Sequence, residues 1–286
     1  MSAALPVMLR SSDGVDIALH RRGGTGPSVI FCHATGFHGR AWDPITEVLA
    51  DRYDCWAIDF RGHGDSTLPD GTSLAWTGMS HDLGVAVDHI GQSTGQAPRL
   101  AVGHSMGGAA IAMTELERPG TFSLAFLFEP ILFPPITENM ERRGGLSDGA
   151  RRRRDVFESF EAAFDRYASR PPLNNFDPRA LRAYVEHGFR PIDGGVKLKC
   201  AGATEADVFD NSDNRAYLRL DEVATTTMIS VGGDEAGPAV IGVDVAARLP
   251  NGVFHIDESL SHFGPMEEPD LFADLIDRHL SPGSHS

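Results

Sequence analysis

Leu100-Ala-Val-Gly-His-Ser-Met-Gly-Gly-Ala109 decides the fold. An apolar run ends in Gly103-His104-Ser105-Met106-Gly107, and a run of small residues, Gly108-Ala-Ala-Ile-Ala112, follows. This is the pattern of a buried strand, a tight turn and a helix packed against the sheet, with Ser105 at the apex. Glycines at 103 and 107 let strand and helix approach closely while the serine takes a strained backbone conformation. A helix beginning at Ser105 aims its free N–H groups and positive dipole end at any negative oxygen forming beside Oγ. That geometry suits acyl transfer.

Outward from this turn, strands and helices alternate. A hairpin is read over 7–11 and 15–21 around Ser12-Asp13-Gly14. Ser28-Val-Ile-Phe-Cys32 and Asp54-Cys-Trp-Ala-Ile-Asp59 are continuous apolar runs of the kind parallel strands show when both faces are covered. Helices are expected over 42–50, 79–90 and 105–117, and a strand over 122–128 delivers Glu129-Pro130. The alternation implies a doubly wound, mostly parallel sheet with right-handed crossovers. From Phe133 the texture changes to Pro/Gly-rich loops and short amphipathic helices (153–168, 178–188, 203–209) with no buried strand, which predicts an inserted helical lid. The α/β pattern resumes with a strand at 226–231, a helix at 239–249, a strand at 252–256 and a helix from Pro269. The domains are therefore read as core 1–133, lid 134–222 and core 223–286.

Bulk properties narrow the function. The 286 residues carry a net charge of −15, which argues against nucleic acid or an anionic membrane as a partner. The one basic run, Arg151 to Arg154, reads as a solvated helix face paired with the acidic residues after it. Three cysteines (Cys32, Cys55, Cys200) form no disulfide framework. Residues 1–6 lack a basic region followed by an apolar core, and no stretch reaches the length of a membrane span, so a cytoplasmic protein is expected.

A serine hydroxyl is a weak nucleophile at neutral pH, so a base must take its proton and a third group must orient that base. Among twelve histidines His262 qualifies, because it follows a late strand by a short polar loop over the carboxyl edge of the sheet. His33 and His104 sit in turns beside the site, where they are expected to shape backbone and pocket.

Five motifs in order, HATGF (33–37), DFRGHGDS (59–66), GHSMGG (103–108), a carboxylate after the strand at 226–231, and SHFGPMEEP (261–269), resemble the α/β-hydrolase superfamily along essentially the whole chain. The order serine, acid, histidine matches that family's pattern, and the lid stands where its cap stands. The resemblance implies an α/β-hydrolase fold and two acids to choose between. Asp234, 28 residues before His262, is favoured; Glu129, at the end of the strand after the nucleophile helix, is the alternative, with Glu235 a remote third. It also implies oxyanion donors at the backbone N–H groups of Thr35 and Met106. Ala34 stands where many relatives have glycine, which demands a negative φ there.

The activity so implied is hydrolysis of a small, fairly apolar ester, thioester or lactone through an acyl-enzyme on Ser105. No Cys/His cluster has metal-ligand spacing, and no cofactor is needed. The apolar preference rests on lid aromatics at 133, 157, 160, 164, 176 and 189. Carbon–carbon bond hydrolysis and cofactor-free perhydrolase or lyase chemistry fit the same scaffold, and a ligand-binding receptor is the non-enzymatic alternative. Pro171-Pro172 and Gly194-Gly195 suggest a mobile lid.

Overall fold

The apolar runs become strands where both of their faces are covered. The computed structural model describes residues 5–135, 145–213 and 215–281. In chain order the first half runs β1 (Val7–Arg10), β2 (Asp16–Gly23), β3 (Ser28–Cys32), α1 (Asp43–Leu49), β4 (Asp54–Asp59), α2 (Trp76–Thr94), β5 (Leu100–His104), α3 (Met106–Glu117) and β6 (Leu124–Phe128). An inserted segment follows: α4 (Gly145–Arg151), β7 (Val156–Phe157), α5 (Phe160–Ala168), α6 (Pro178–Gly188), β8 (Phe189–Ile192), β9 (Gly195–Leu198) and α7 (Gly202–Asp210). The chain then returns through β10 (Thr226–Gly232), α8 (Gly242–Arg248), β11 (Gly252–Asp257), α9 (Gly264–Glu267) and α10 (Pro269–Leu280).

Eight strands form one sheet in the order β1-β2-β4-β3-β5-β6-β10-β11. The six from β4 to β11 are parallel, and β1 and β2 close one edge as the antiparallel hairpin read around Asp13-Gly14. Strand order reverses between β3 and β5, which opens a crevice at their carboxyl ends. Two apolar clusters cover the two faces. One holds Met79, Leu83, Ile111 and Val245 from α2, α3 and α8; the other holds Ile45, Leu49, Phe272 and Ile276 from α1 and α10, with Trp42 just before α1.

The inserted segment differs from its sequence reading in two ways. Strands β7, β9 and β8 form a small antiparallel sheet where helices alone were expected. Val196 and Leu198 point inward and Lys197 outward, a period-2 alternation too short to stand out in the sequence. Asp193-Gly194 closes the β8–β9 hairpin, with Gly194 at φ +77°. The basic run is also no helix face, because α4 ends at Arg151. Arg151 instead pairs with Asp210, Arg153 turns inward to Glu205, and Arg154 stacks over Phe157. Phe157, Phe176, Tyr184 and Phe189 join the same apolar cluster as Phe31, Trp42 and Phe126, so the segment packs directly onto one face of the core.

Candidate active site

Every candidate residue lies beyond the carboxyl end of a strand. Ser105 follows β5 with φ 55° and ψ −116°, a conformation a non-glycine residue holds only when its surroundings enforce it. The enforcement is visible. Its N–H donates to the Phe128 carbonyl at 3.0 Å, and its own carbonyl accepts from the Ile131 N–H at 3.1 Å. A Cβ at Gly103 would lie 2.7 Å from the Gly108 Cα, and one at Gly108 would lie 2.8 Å from the Pro130 Cβ. The glycines thus let strand, helix and the turn after β6 interlock. Ser105 stands at the N-cap of α3 without using Oγ to cap it, which leaves the hydroxyl available.

Glu129 sits in that interlocked turn. It is fully buried, with φ 43°. Its Oε1 accepts the Gly232 N–H at 2.9 Å and its Oε2 lies 2.6 Å from His262 Nδ1. A buried carboxylate needs partners on both oxygens, and this one has them. With Nδ1–H donated to Glu129, the lone pair of Nε2 is the face His262 offers to a hydroxyl proton. Among the described residues Nε2 has no hydrogen-bond partner.

Asp234 makes a different contact. Its Oδ2 accepts the backbone N–H of His262 at 3.0 Å, while the His262 carbonyl lies 2.8 Å from His104 Nε2. The main chain of the histidine is gripped from both sides and its ring is held from a third. Of the two carboxylates weighed from the sequence, the structure therefore puts Glu129 rather than Asp234 on the imidazole. Spacing to His262 does not distinguish them, because β6 and β10 are neighbours and both deliver a carboxylate to the same corner. Glu235 contacts neither the ring nor its backbone among the described residues.

The turn after β3 is locked by its histidine. His33 Nε2 accepts the Phe60 N–H at 3.1 Å, which makes Nδ1 the protonated nitrogen, and Nδ1–H donates to the Ala34 carbonyl at 2.8 Å. Burial, with His63 close by, pushes the His33 pKa down to about 3, so the ring is neutral and this tautomer is fixed. The Ala34 carbonyl also accepts the Phe37 N–H at 3.1 Å. Pinning the oxygen of that trans peptide turns its other end, the Thr35 N–H, the opposite way. Ala34 has no positive φ, as its methyl requires. A Cβ at Gly107 would fall 2.2 Å from the Cys32 carbonyl oxygen and 2.8 Å from that of His33. The first turn of α3, where Met106 has no carbonyl one turn earlier to donate to, is thus pressed against the Thr35 loop.

Aromatic rings crowd this corner. Phe37 from the β3 turn lies 5.0 Å from Tyr184, 6.2 Å from Phe176 and 6.2 Å from Phe263. Of the six lid phenylalanines expected there, only Phe176 joins them. Phe157 and Phe189 pack with Tyr167 inside the inserted segment, and Phe160 and Phe164 pack onto the apolar cluster beneath it. Phe133 is half-buried where the segment begins.

One cluster has ligand-like donors: His20, Asp59 and Asp65 converge within 4.8 Å. Their oxygens are already engaged. Asp59 holds the Gly39 and Asp65 N–H groups and His20 Nε2, and Asp65 pairs with Lys199. The knot ties the loop after β4 to β2.

A profile of the alpha/beta hydrolase family matches residues 29–275. The chain belongs to the alpha/beta hydrolase family. Among curated relatives, this chain is 26% identical over 189 residues to 2-(acetamidomethylene)succinate hydrolase of Mesorhizobium japonicum, covering 65% of this chain and 63% of that protein. It is 27% identical over 265 residues to the putative non-heme bromoperoxidase BpoC of Mycobacterium tuberculosis, covering 86% and 91% of the two chains. The crystal structure of E-2-(acetamidomethylene)succinate hydrolase superposes with a TM-score of 0.78 at 20% identity, over 96% of this chain and 98% of that one, a likeness of fold. No helix among the described residues is long and apolar enough to cross a membrane.

Proposed function

We propose that this hydrolase cleaves a small ester, thioester or lactone through an acyl-enzyme on Ser105. Ser105 Oγ attacks the carbonyl while His262 Nε2 takes its proton, and His262 then returns that proton to the leaving group. Glu129 holds the ring in the required tautomer and stabilises the imidazolium, and the N–H groups of Thr35 and Met106 receive the oxyanion. Water, deprotonated by the same histidine, releases the acid. The observation that carries this reading is the buried Glu129 carboxylate 2.6 Å from His262 Nδ1, in the turn whose backbone hydrogen-bonds Ser105 on both sides, with that serine held at φ 55°. Asp234 acts through the backbone as a positioning residue. The segment between β6 and β10 serves as a cap whose Phe176, with Phe37 and Phe263, supports an apolar acyl group. Three free, buried cysteines support a reducing, cytoplasmic setting.

The name shared by a sequence relative and a structural one favours a second reading, cleavage of an acetamido group. The same attack serves both. The test is turnover of p-nitrophenyl esters from acetyl to decanoyl, with N-acetyl enamides beside them, by wild type and Ser105→Ala. Ester turnover that vanishes in the variant supports the first reading; turnover of enamides alone moves the second forward. A wild type inert to all of them removes acyl hydrolysis.

A further inference from the structure

Arg153, Glu205, Tyr167 and Tyr184 form a polar cluster inside the apolar inserted segment, and none of them has a part in the chemistry above. Arg153 donates from Nη1 to Glu205 Oε2 at 2.7 Å and from Nη2 to the hydroxyls of Tyr167, at 3.2 Å, and Tyr184. Burial alone would work against the Arg153 charge, but the two tyrosines and Glu205 hold the guanidinium firmly protonated. The Tyr184 hydroxyl, kept protonated by its burial, donates to the Gly36 carbonyl at 3.2 Å. Gly36 has φ +78°, and a Cβ there would lie 2.6 Å from Glu205 Oε1. The cluster therefore rests directly on the turn that carries Thr35.

Followed atom by atom, the hydrogen bonds run one way. Arg153 donates to Tyr184, and Tyr184 donates to the Gly36 carbonyl. The N–H of that same peptide, on Phe37, donates to the Ala34 carbonyl at 3.1 Å. The N–H of the Ala34 peptide is Thr35's. Withdrawing electron density from an amide oxygen makes its N–H a stronger donor, so each bond strengthens the next, and each fixes the plane of the peptide it touches. The direction ends at the oxyanion.

We infer that Tyr184, held by Arg153, is a positioning residue that aims and polarises the Thr35 N–H through the two peptide groups between them. The inference rests on Thr35 as an oxyanion donor, and it assigns the inserted segment a part in transition-state stabilisation as well as in enclosing substrate. Tyr184 also packs its ring on Phe37 and His38, at 5.0 and 5.7 Å. Phenylalanine keeps that packing and removes the hydroxyl that accepts from Arg153 and donates to the Gly36 carbonyl.

The experiment compares wild type, Tyr184→Phe, Arg153→Met and the double variant, each confirmed folded by near-UV circular dichroism. Readouts are p-nitrophenyl ester kinetics, the rate of Ser105 labelling by a fluorophosphonate, and the Thr35 amide proton shift. Tyr184→Phe is expected to lower kcat about three- to tenfold with KM unchanged, the range one lost hydrogen bond gives. It should slow labelling alike and move the Thr35 amide proton upfield. The double variant should be no slower than Tyr184→Phe, because Arg153 acts through the hydroxyl. Unchanged kcat and labelling in Tyr184→Phe, a rise in KM alone, an unmoved Thr35 shift, or multiplying losses in the double variant each overturn the relay. A wild type that resists the fluorophosphonate overturns the acyl-enzyme reading beneath it, and the relay with it.

Discussion

At the residue scale the informative pair is Glu129 and Asp234, because both touch His262 and only one touches its ring. Replacing Glu129 by Gln keeps the shape but loses the charge that stabilises the imidazolium and lets the amide favour the wrong tautomer. The expected loss in kcat is on the order of 10³-fold or more. Asp234→Asn keeps an acceptor for the His262 N–H, so its expected loss is within about tenfold. Steady-state kinetics of the two variants decide the assignment, and the reverse ranking returns the acid to Asp234. The sequence named both candidates and favoured Asp234, the one that holds the backbone and not the ring, because a backbone contact and a ring contact leave the same mark in a string of letters. The positions of Ser105 and His262 at the sheet's carboxyl edge were legible for a different reason: the serine is flanked by glycines that the elbow requires, and the histidine follows a strand at a loop's length.

At the element scale the decisive contact is α3 against the turn after β3. Gly107→Ala would drive a methyl into the Cys32 carbonyl, 2.2 Å away, and neither backbone can yield without parting the Met106 and Thr35 N–H groups. The variant is expected to lose more than about 2 kcal/mol of stability by urea unfolding. It should also lose about 10²-fold in kcat, as removal of one oxyanion donor does. Wild-type kcat in a folded Gly107→Ala enzyme would show that the two elements are not jointly responsible for the oxyanion site. The core strands were readable because parallel strands covered on both faces spell continuous apolar runs. The β7-β9-β8 sheet was not, because strands of two to four residues carry too few alternations to outweigh the surrounding turn and helix signals.

Across the whole molecule five buried or half-buried histidines weaken the fold as pH falls. Burial lowers the pKa of His33 to about 3 and those of His38 and His187 to about 4, against an ordinary value of 6.5, and burial also lowers His63 and His104. The unfolded chain takes up protons below pH 6.5 and the folded one does not. Stability is therefore fully present above that pH and is lost as pH falls through 6.5 toward 4, each histidine contributing up to about 1.4 kcal/mol per pH unit. Urea unfolding between pH 8 and 5 should show a flat region and then a slope of more than two protons; a slope below one contradicts their burial as neutral rings. The fold class was legible at this scale because five motifs had to appear in one order. The weakening in acid was not, because burial decides it and the letter H does not carry burial.

Glu129 and His262 lie 133 residues apart in the chain. At a synthesis rate of roughly 5–20 residues per second the base follows the carboxylate off the ribosome by on the order of ten seconds. Ser105, Glu129 and the Thr35 and Met106 amides are made first, and His262 comes last. Under the proposed mechanism, a nascent chain that ends before β11 lacks the base that would activate Ser105, and its serine is no better a nucleophile than a free hydroxyl.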